Sequence, residues 1–141
     1  MKAFIDTSTL FKKYVNEEGS DDFDQLLKEV IEIIVSPVTW VEMNTIIERR
    51  FREKTLTKEH VLWLRKEIRR DFNYFGKILF NENLEKKCLE IIQRYQLKTL
   101  ESLQLAAGSL AKPDIFITSD KTLYSQARKE LKNVCFFDRS N

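Results

Sequence analysis

Ala3-Phe4-Ile5-Asp6-Thr7-Ser8 begins as an unbroken apolar run and stops at an acid and two hydroxyls. An apolar run without polar alternation reads as a strand covered on both faces. Asp, Thr and Ser just after it are residue types that satisfy the free N–H groups of a helix start. The pattern recurs downstream. Ile31-Glu32-Ile33-Ile34-Val35 ends at Ser36-Pro37, and Ile115-Phe116-Ile117-Thr118 ends at Ser119-Asp120. Val134-Cys135-Phe136-Phe137 stands last.

Helical spacing fills the intervals. Leu10, Phe11, Tyr14 and Val15 share one face, and Asp21-Asp22 opens a second helix through Phe23, Leu26, Leu27 and Val30. Pro37 and Thr39 lead into a long amphipathic helix carrying Trp40, Val41, Ile46, Ile47 and Phe51, and Thr55 or Thr57 caps the next through Leu62, Leu64 and Ile68. Further helices run from Asn83 to Tyr95 and from Thr99 to Ala111. Phe72 to Phe80 is ambiguous, with β-prone residues at Lys77-Ile78-Leu79-Phe80. Short apolar strands alternating with helices specify one α/β domain: a central parallel sheet of about four or five strands flanked by helices. An all-helical insert separates its second and third main strands.

The bulk numbers agree. At 141 residues and 43% hydrophobic content the chain can support a real core, and 3 Gly and 2 Pro argue against a many-turned all-β or collagenous chain. The 24 Lys+Arg nearly cancel the 22 Asp+Glu, a net charge of +2, so no strongly basic nucleic-acid binder is announced. Cys88 and Cys135, each among apolar residues, are too few for a disulfide scaffold and read as buried free thiols in a reducing compartment. The N-terminal apolar run is too short for a signal peptide, and Glu32 interrupts the longest later run. These features predict a cytoplasmic protein with no membrane partner.

In open α/β sheets, sites form at the carboxyl ends of the strands. Asp6 and Asp120 stand where two strands end, and Glu42 and Glu101 interrupt apolar faces near two helix starts. Helix capping explains each Asp singly, and a favourable acid near a helix N-terminus explains each Glu. Neither explains why all four belong to one rim.

Four segments carry a resemblance. Ile5-Asp6-Thr7-Ser8 looks like the opening motif of PIN-domain nucleases, and Ser36-Pro37-Val38-Thr39-Trp40-Val41-Glu42 is similar to the second. Leu97 to Ala106, with Glu101 and Gln104, resembles the third, and Ile117-Thr118-Ser119-Asp120 the fourth. The order is kept along the whole chain, and the size is that of VapC toxins of toxin–antitoxin pairs. The resemblance implies a single PIN-like domain over residues 1–141. It also implies a metal-dependent endoribonuclease with Asp6, Glu42, Glu101 and Asp120 as catalytic and metal-binding residues. RNA, a cognate antitoxin and a second copy of the chain are the implied partners. One departure stands out: the third motif usually carries Asp, and this chain has Glu101. All-oxygen ligands suit Mg²⁺ or Mn²⁺. Ser8, Thr118 and Gln104 are the supporting polar groups.

Residues 48 to 70 hold nine cations against four anions, +5 locally. Intrahelical pairs such as Glu48–Arg52 account for part of this. Arg65 and Arg69 are the candidates for RNA contact. Trp40, Trp63, Phe72, Tyr74 and Phe75 read as core or dimer packing rather than base stacking, and His60, the single His, as a surface or interface residue. Two other functions compete. One is a PIN-like domain that binds RNA or a partner with weak or no cleavage. The other, a phospho-acceptor signalling domain, is disfavoured because Asp6 has no acidic neighbour and the second strand ends in Ser36-Pro37.

Overall fold

A computed structural model of the chain describes residues 1–137. The elements run β1 (Lys2–Ile5), α1 (Thr7–Phe11), α2 (Ser20–Leu27), β2 (Glu32–Val35), α3 (Thr39–Arg52) and α4 (Lys58–Phe72). They continue with β3 (Gly76–Lys77), α5 (Glu82–Arg94), α6 (Thr99–Ala111), β4 (Ile115–Thr118), α7 (Lys121–Glu130) and β5 (Val134–Phe136). All strand pairs are parallel, in the order β3-β2-β1-β4-β5. The chain builds outward from β1 to one edge, then crosses back to build β4 and β5 on the other side. β1 and β4 therefore flank the point where the winding reverses, which is where open sheets leave a crevice.

Side-chain alternation splits each strand between two cores. Ala3, Ile5, Val35 and Ile117 face α1 to α4, packing with Leu10, Phe11, Phe23, Met43, Ile47, Leu64 and Ile68. Phe4, Ile34 and Phe116 face the opposite way, with Leu84, Ile91, Ala106 and Leu123 from α5, α6 and α7. Phe4 and Phe116 are paired across the ladder and stack with ring centroids 5.2 Å apart. Both are fully buried, and burial of each contributes about 1.5–3 kcal/mol. Gly108 of α6 lies against that stack. A Cβ there would come within 2.4 Å of the Phe116 ring.

The expected α/β architecture holds, and local boundaries shift for identifiable reasons. The β-prone run Lys77-Ile78-Leu79-Phe80 is mostly not strand. Only Gly76 and Lys77 pair with β2, while Leu79 and Phe80 run exposed to Asn81, which caps α5. Ile31 precedes β2 and is 88% exposed. In α4 the buried face is Val61, Leu64, Ile68 and Phe72, so Leu62 points outward. Val41 and Phe51 of α3 are likewise exposed. α1 ends at Phe11, although Tyr14 beyond it is still buried, its hydroxyl donating to Asp71 over 2.8 Å. α2 starts at Ser20 behind Gly19, which holds φ 91°. Thr57 is the cap of α4, accepting from the His60 N–H at 3.1 Å. Cys88 is buried as expected, whereas Cys135 on edge strand β5 is only half-buried. No helix among the described residues is long and apolar enough to cross a membrane.

Gly108→Ala is expected to destabilise the fold by roughly 1–3 kcal/mol through overpacking, outweighing the ~1 kcal/mol of helix propensity gained. A urea midpoint that is unchanged or raised would show that the ring stack yields to a methyl group.

Candidate active site

The Asp6 N–H continues the ladder to the Ile117 carbonyl at 3.1 Å, which carries the side chain just past the β1–β4 seam. There its carboxylate has two tasks. Oδ1 accepts from the Thr9 N–H at 3.1 Å, capping α1, and Oδ2 accepts from the Thr118 hydroxyl. The Thr118 oxygen in turn accepts from the Asp120 N–H at 3.0 Å, and Asp120 Oδ1 caps α7 through the Leu123 N–H at 2.9 Å. Capping and convergence are thus the same geometry: each strand end delivers an acid that starts the next helix. The Thr9 and Ser119 hydroxyls, 2.7 Å apart, tie the two turns together.

Asp6 is only 4% exposed. Burial pushes its carboxyl above the ordinary range; the bonds from Thr118 and Thr9 pull it back in part, and the Asp120 charge adds to the rise. Burial therefore disfavours its ionised form. It lacks a countercharge: none of its bonds comes from a cationic side chain.

Glu42 enters from α3. Its Oε1 accepts from the Thr7 hydroxyl at 2.8 Å and from Gln104 Nε2 at 2.7 Å, and the same amide reaches Thr7 Oγ1 at 3.2 Å. Neither donor engages Oε2. Since the Gln104 nitrogen must face the carboxylate, Gln104 Oε1 is left buried without a partner. Glu101 sits on α6, its Oε2 accepting from the Lys98 N–H at 3.2 Å across the first turn.

All four acids line one cleft of about 330 Å³, with Ser8, exposed, at its mouth and Gln104 in its wall. The cleft also contains Thr7, Thr45 and Arg49, which the sequence reading did not single out. A signal was available: Glu42, Thr45, Ile46 and Arg49 are spaced three, four and seven apart, one face of α3. Arg49 makes no ion pair with any described residue. It is the cation of this cleft.

Arg65 and Arg69 are elsewhere. Arg65 donates to Asn44 at 3.1 Å and pairs with Glu48, so Glu48 is bound across the α3–α4 interface rather than to Arg52 as expected. Asn44 and Glu48 are one turn apart and present two acceptors to one guanidinium, which a single intrahelical partner does not match. Arg69 lies over the Trp40 ring, 5.2 Å from its centroid. Among the aromatics, Phe72 is buried and Trp40 packs edge-on against it, as expected of core, while Trp63 and Tyr74 are exposed. His60 is exposed, as expected.

The PIN domain family model matches residues 3–129, a span that contains all four motif segments. The chain belongs to the PIN domain family. Solved PIN-fold neighbours include a chain of a toxin-antitoxin complex from Klebsiella pneumoniae, with a TM-score of 0.69 at 16% identity over 96% of this chain and 98% of that one. FitAcB from Neisseria gonorrhoeae gives 0.71 at 12% identity over 99% of both chains. VapBC2 from Rickettsia felis, solved with a DNA fragment from its promoter, gives 0.67 at 10% identity over 98% and 100%. Identities this low make these likenesses of fold. No curated protein matches the sequence significantly.

This PIN domain offers only oxygen donors in its cleft. Among the described residues no three His, Cys, Asp or Glu side chains lie close enough to form a metal cluster. A hard cation binds through one or two carboxylates and completes its shell with water or phosphate. The buried, uncompensated Asp6 beside Asp120 fits such an ion.

Asp6→Asn keeps the cap and removes the charge. Because burial raises the native pKa above the unfolded one, ionised Asp6 destabilises the native state, a penalty present above the native pKa and absent below the unfolded value of about 3.9. In chelator, Asp6→Asn should therefore melt above wild type at neutral pH, with the gain vanishing towards pH ~3.5. Thermal melts at both pH values check this; a variant less stable than wild type at neutral pH would contradict it.

Proposed function

We propose that this PIN domain is a metal-dependent endoribonuclease hydrolysing RNA phosphodiester bonds, with Mg²⁺ or Mn²⁺ as its cation. Asp6 is the observation that carries the reading. A carboxylate buried at the sheet's reversal point, without a cationic partner and facing a cleft with three more acids, costs stability that a bound cation recovers.

Asp6 and Asp120 would hold the cation, with Glu42 facing the same space. When bound, the ion supplies Lewis acidity towards a phosphodiester and acidifies nearby water. The chain's own groups do the rest. Thr118 fixes the Asp6 carboxylate and, through the Asp120 N–H, the neighbouring turn. Thr7 and Gln104 hold Glu42 by one oxygen and leave the other to accept a proton from the attacking water. Arg49, unpaired at the cleft wall, attracts the substrate phosphate and offsets charge on the displaced oxygen.

The same proposal makes the chain the toxin of a toxin–antitoxin pair working in the cytoplasm. A cognate antitoxin would cover the cleft, and the toxin would associate as a homodimer. Support comes from the neighbours named above, one from a toxin-antitoxin complex and two from FitAcB and VapBC2. A second reading, binding without cutting, is favoured by Glu101, whose carboxylate is engaged at its own helix start.

Purified protein with RNA and Mg²⁺ or Mn²⁺ is expected to cleave, and Asp6→Ala or Asp120→Ala to lower the rate by about 100-fold or more. Cleavage that survives in Asp6→Ala, or in excess chelator, would overturn the site. Glu101→Asp separates the two readings: the nuclease reading predicts a change within about tenfold, about 1.4 kcal/mol. Activity appearing only in that variant would mean the native cleft binds without cutting.

A further inference from the structure

A second groove, of about 420 Å³, opens on the same rim, where β2 ends at Val35-Ser36 and the chain leaves β3 at Ile78. Trp40, Arg69, Asn73, Lys77 and Phe80 line it, and no acid does. Among the described residues its two cations make no ion pair: Lys77 is exposed, and Arg69 lies over the Trp40 face. Trp40 is itself fixed by Phe72, 5.5 Å away and edge-on. Phe80 is 65% exposed, and Leu79 beside it is 67% exposed.

Positive charge without acid, next to flat rings, is the chemistry of a groove for unpaired nucleic acid. The cations track phosphate, the rings and the guanidinium plane stack bases, and an amide such as that of Asn73 can bond a base edge. An apolar peptide, or a second copy packed through the rings alone, would leave both cations unused. We infer that this groove is a subsite for an unpaired nucleotide of single-stranded RNA flanking the residue cut in the acidic cleft. The inference rests on the proposed nuclease reading for its substrate. Position agrees: β2 is next to β1, so groove and cleft are separated by one or two strand spacings, ~5–10 Å, and α3 forms a wall of both. Trp40 and Glu42, two residues apart, point to opposite sides of that helix.

The sequence has 2 Trp, so Trp63→Phe leaves Trp40 as the sole tryptophan reporter. Oligouridylate or oligoadenylate, titrated in chelator so that nothing is cut, is expected to change Trp40 emission saturably. Lys77→Ala and Arg69→Met should each lower the slope of log affinity against log salt by about 0.7. Phe80→Ala should weaken binding by about fivefold or more. Lys77, Arg69 and Phe80 are exposed, so these variants leave the core intact. Unchanged Trp40 emission while RNA binds, or wild-type affinity in both Lys77→Ala and Phe80→Ala, overturns the subsite. So does a Phe80→Ala protein that passes from dimer to monomer by light scattering with RNA affinity unchanged, since a second copy then covers the groove. Cleavage in Mg²⁺ with an unresponsive Trp40 refutes the subsite and spares the nuclease; saturable Trp40 binding with no cleavage does the reverse.

Discussion

Everything at this end of the sheet depends on one carboxylate held out of water. Asp6 ends β1, caps α1, receives the Thr118 hydroxyl from β4 and sits against Asp120. Each neutral hydrogen bond returns part of the solvation lost on burial, but none removes the net negative charge. The Asp6 carboxylate at the seam between β1 and β4 is thus hydrogen-bonded through both oxygens yet without a cationic partner. A cation bound there, as proposed, would offset that charge.

The sheet order explains why the tension falls there. With β1 central and the winding reversing beside it, the strand ends at β1 and β4 splay their helices apart and leave room above them. The two cores anchor the seam from opposite sides, Ile5 and Ile117 in one and the Phe4–Phe116 stack in the other. Rigid packing immediately beneath an uncompensated charge keeps the acids from relaxing away from each other. Charge balance follows the same division. The overall +2 averages an acidic cleft with basic helices α3 and α4, and Arg49 is the one member of that basic stretch that lines the cleft.

The strands were legible because both of their faces are buried, which writes them as unbroken apolar runs. Asp6 and Asp120 were legible because strand ends mark the rim of such a sheet. Glu42 and Glu101 were legible because each interrupts an apolar helical face near a helix start, and the helical spacing of Glu42 with Arg49 would have extended the list. Other features are set by tertiary contact and leave no mark in local pattern. β3 is two residues long and pairs only because β2 presents an edge. Thr7 acquires its role from Glu42 and Gln104, 35 and 97 positions away. Glu48 exchanges its expected intrahelical partner for Arg65 because Asn44 adds a second acceptor on the same helix face. Arg65 and Arg69, four residues apart and read as a pair, part company for that reason: one is spent on an interhelical contact, the other stands at a groove.

Divalent-cation binding at the Asp6–Asp120 seam is the proposal on which the functional reading stands. Crystals grown with Mn²⁺ and measured at the manganese absorption edge test it most directly. An anomalous peak in contact with the Asp6 and Asp120 carboxylates is expected. No peak there at saturating Mn²⁺, or one bound only at other carboxylates, would contradict it.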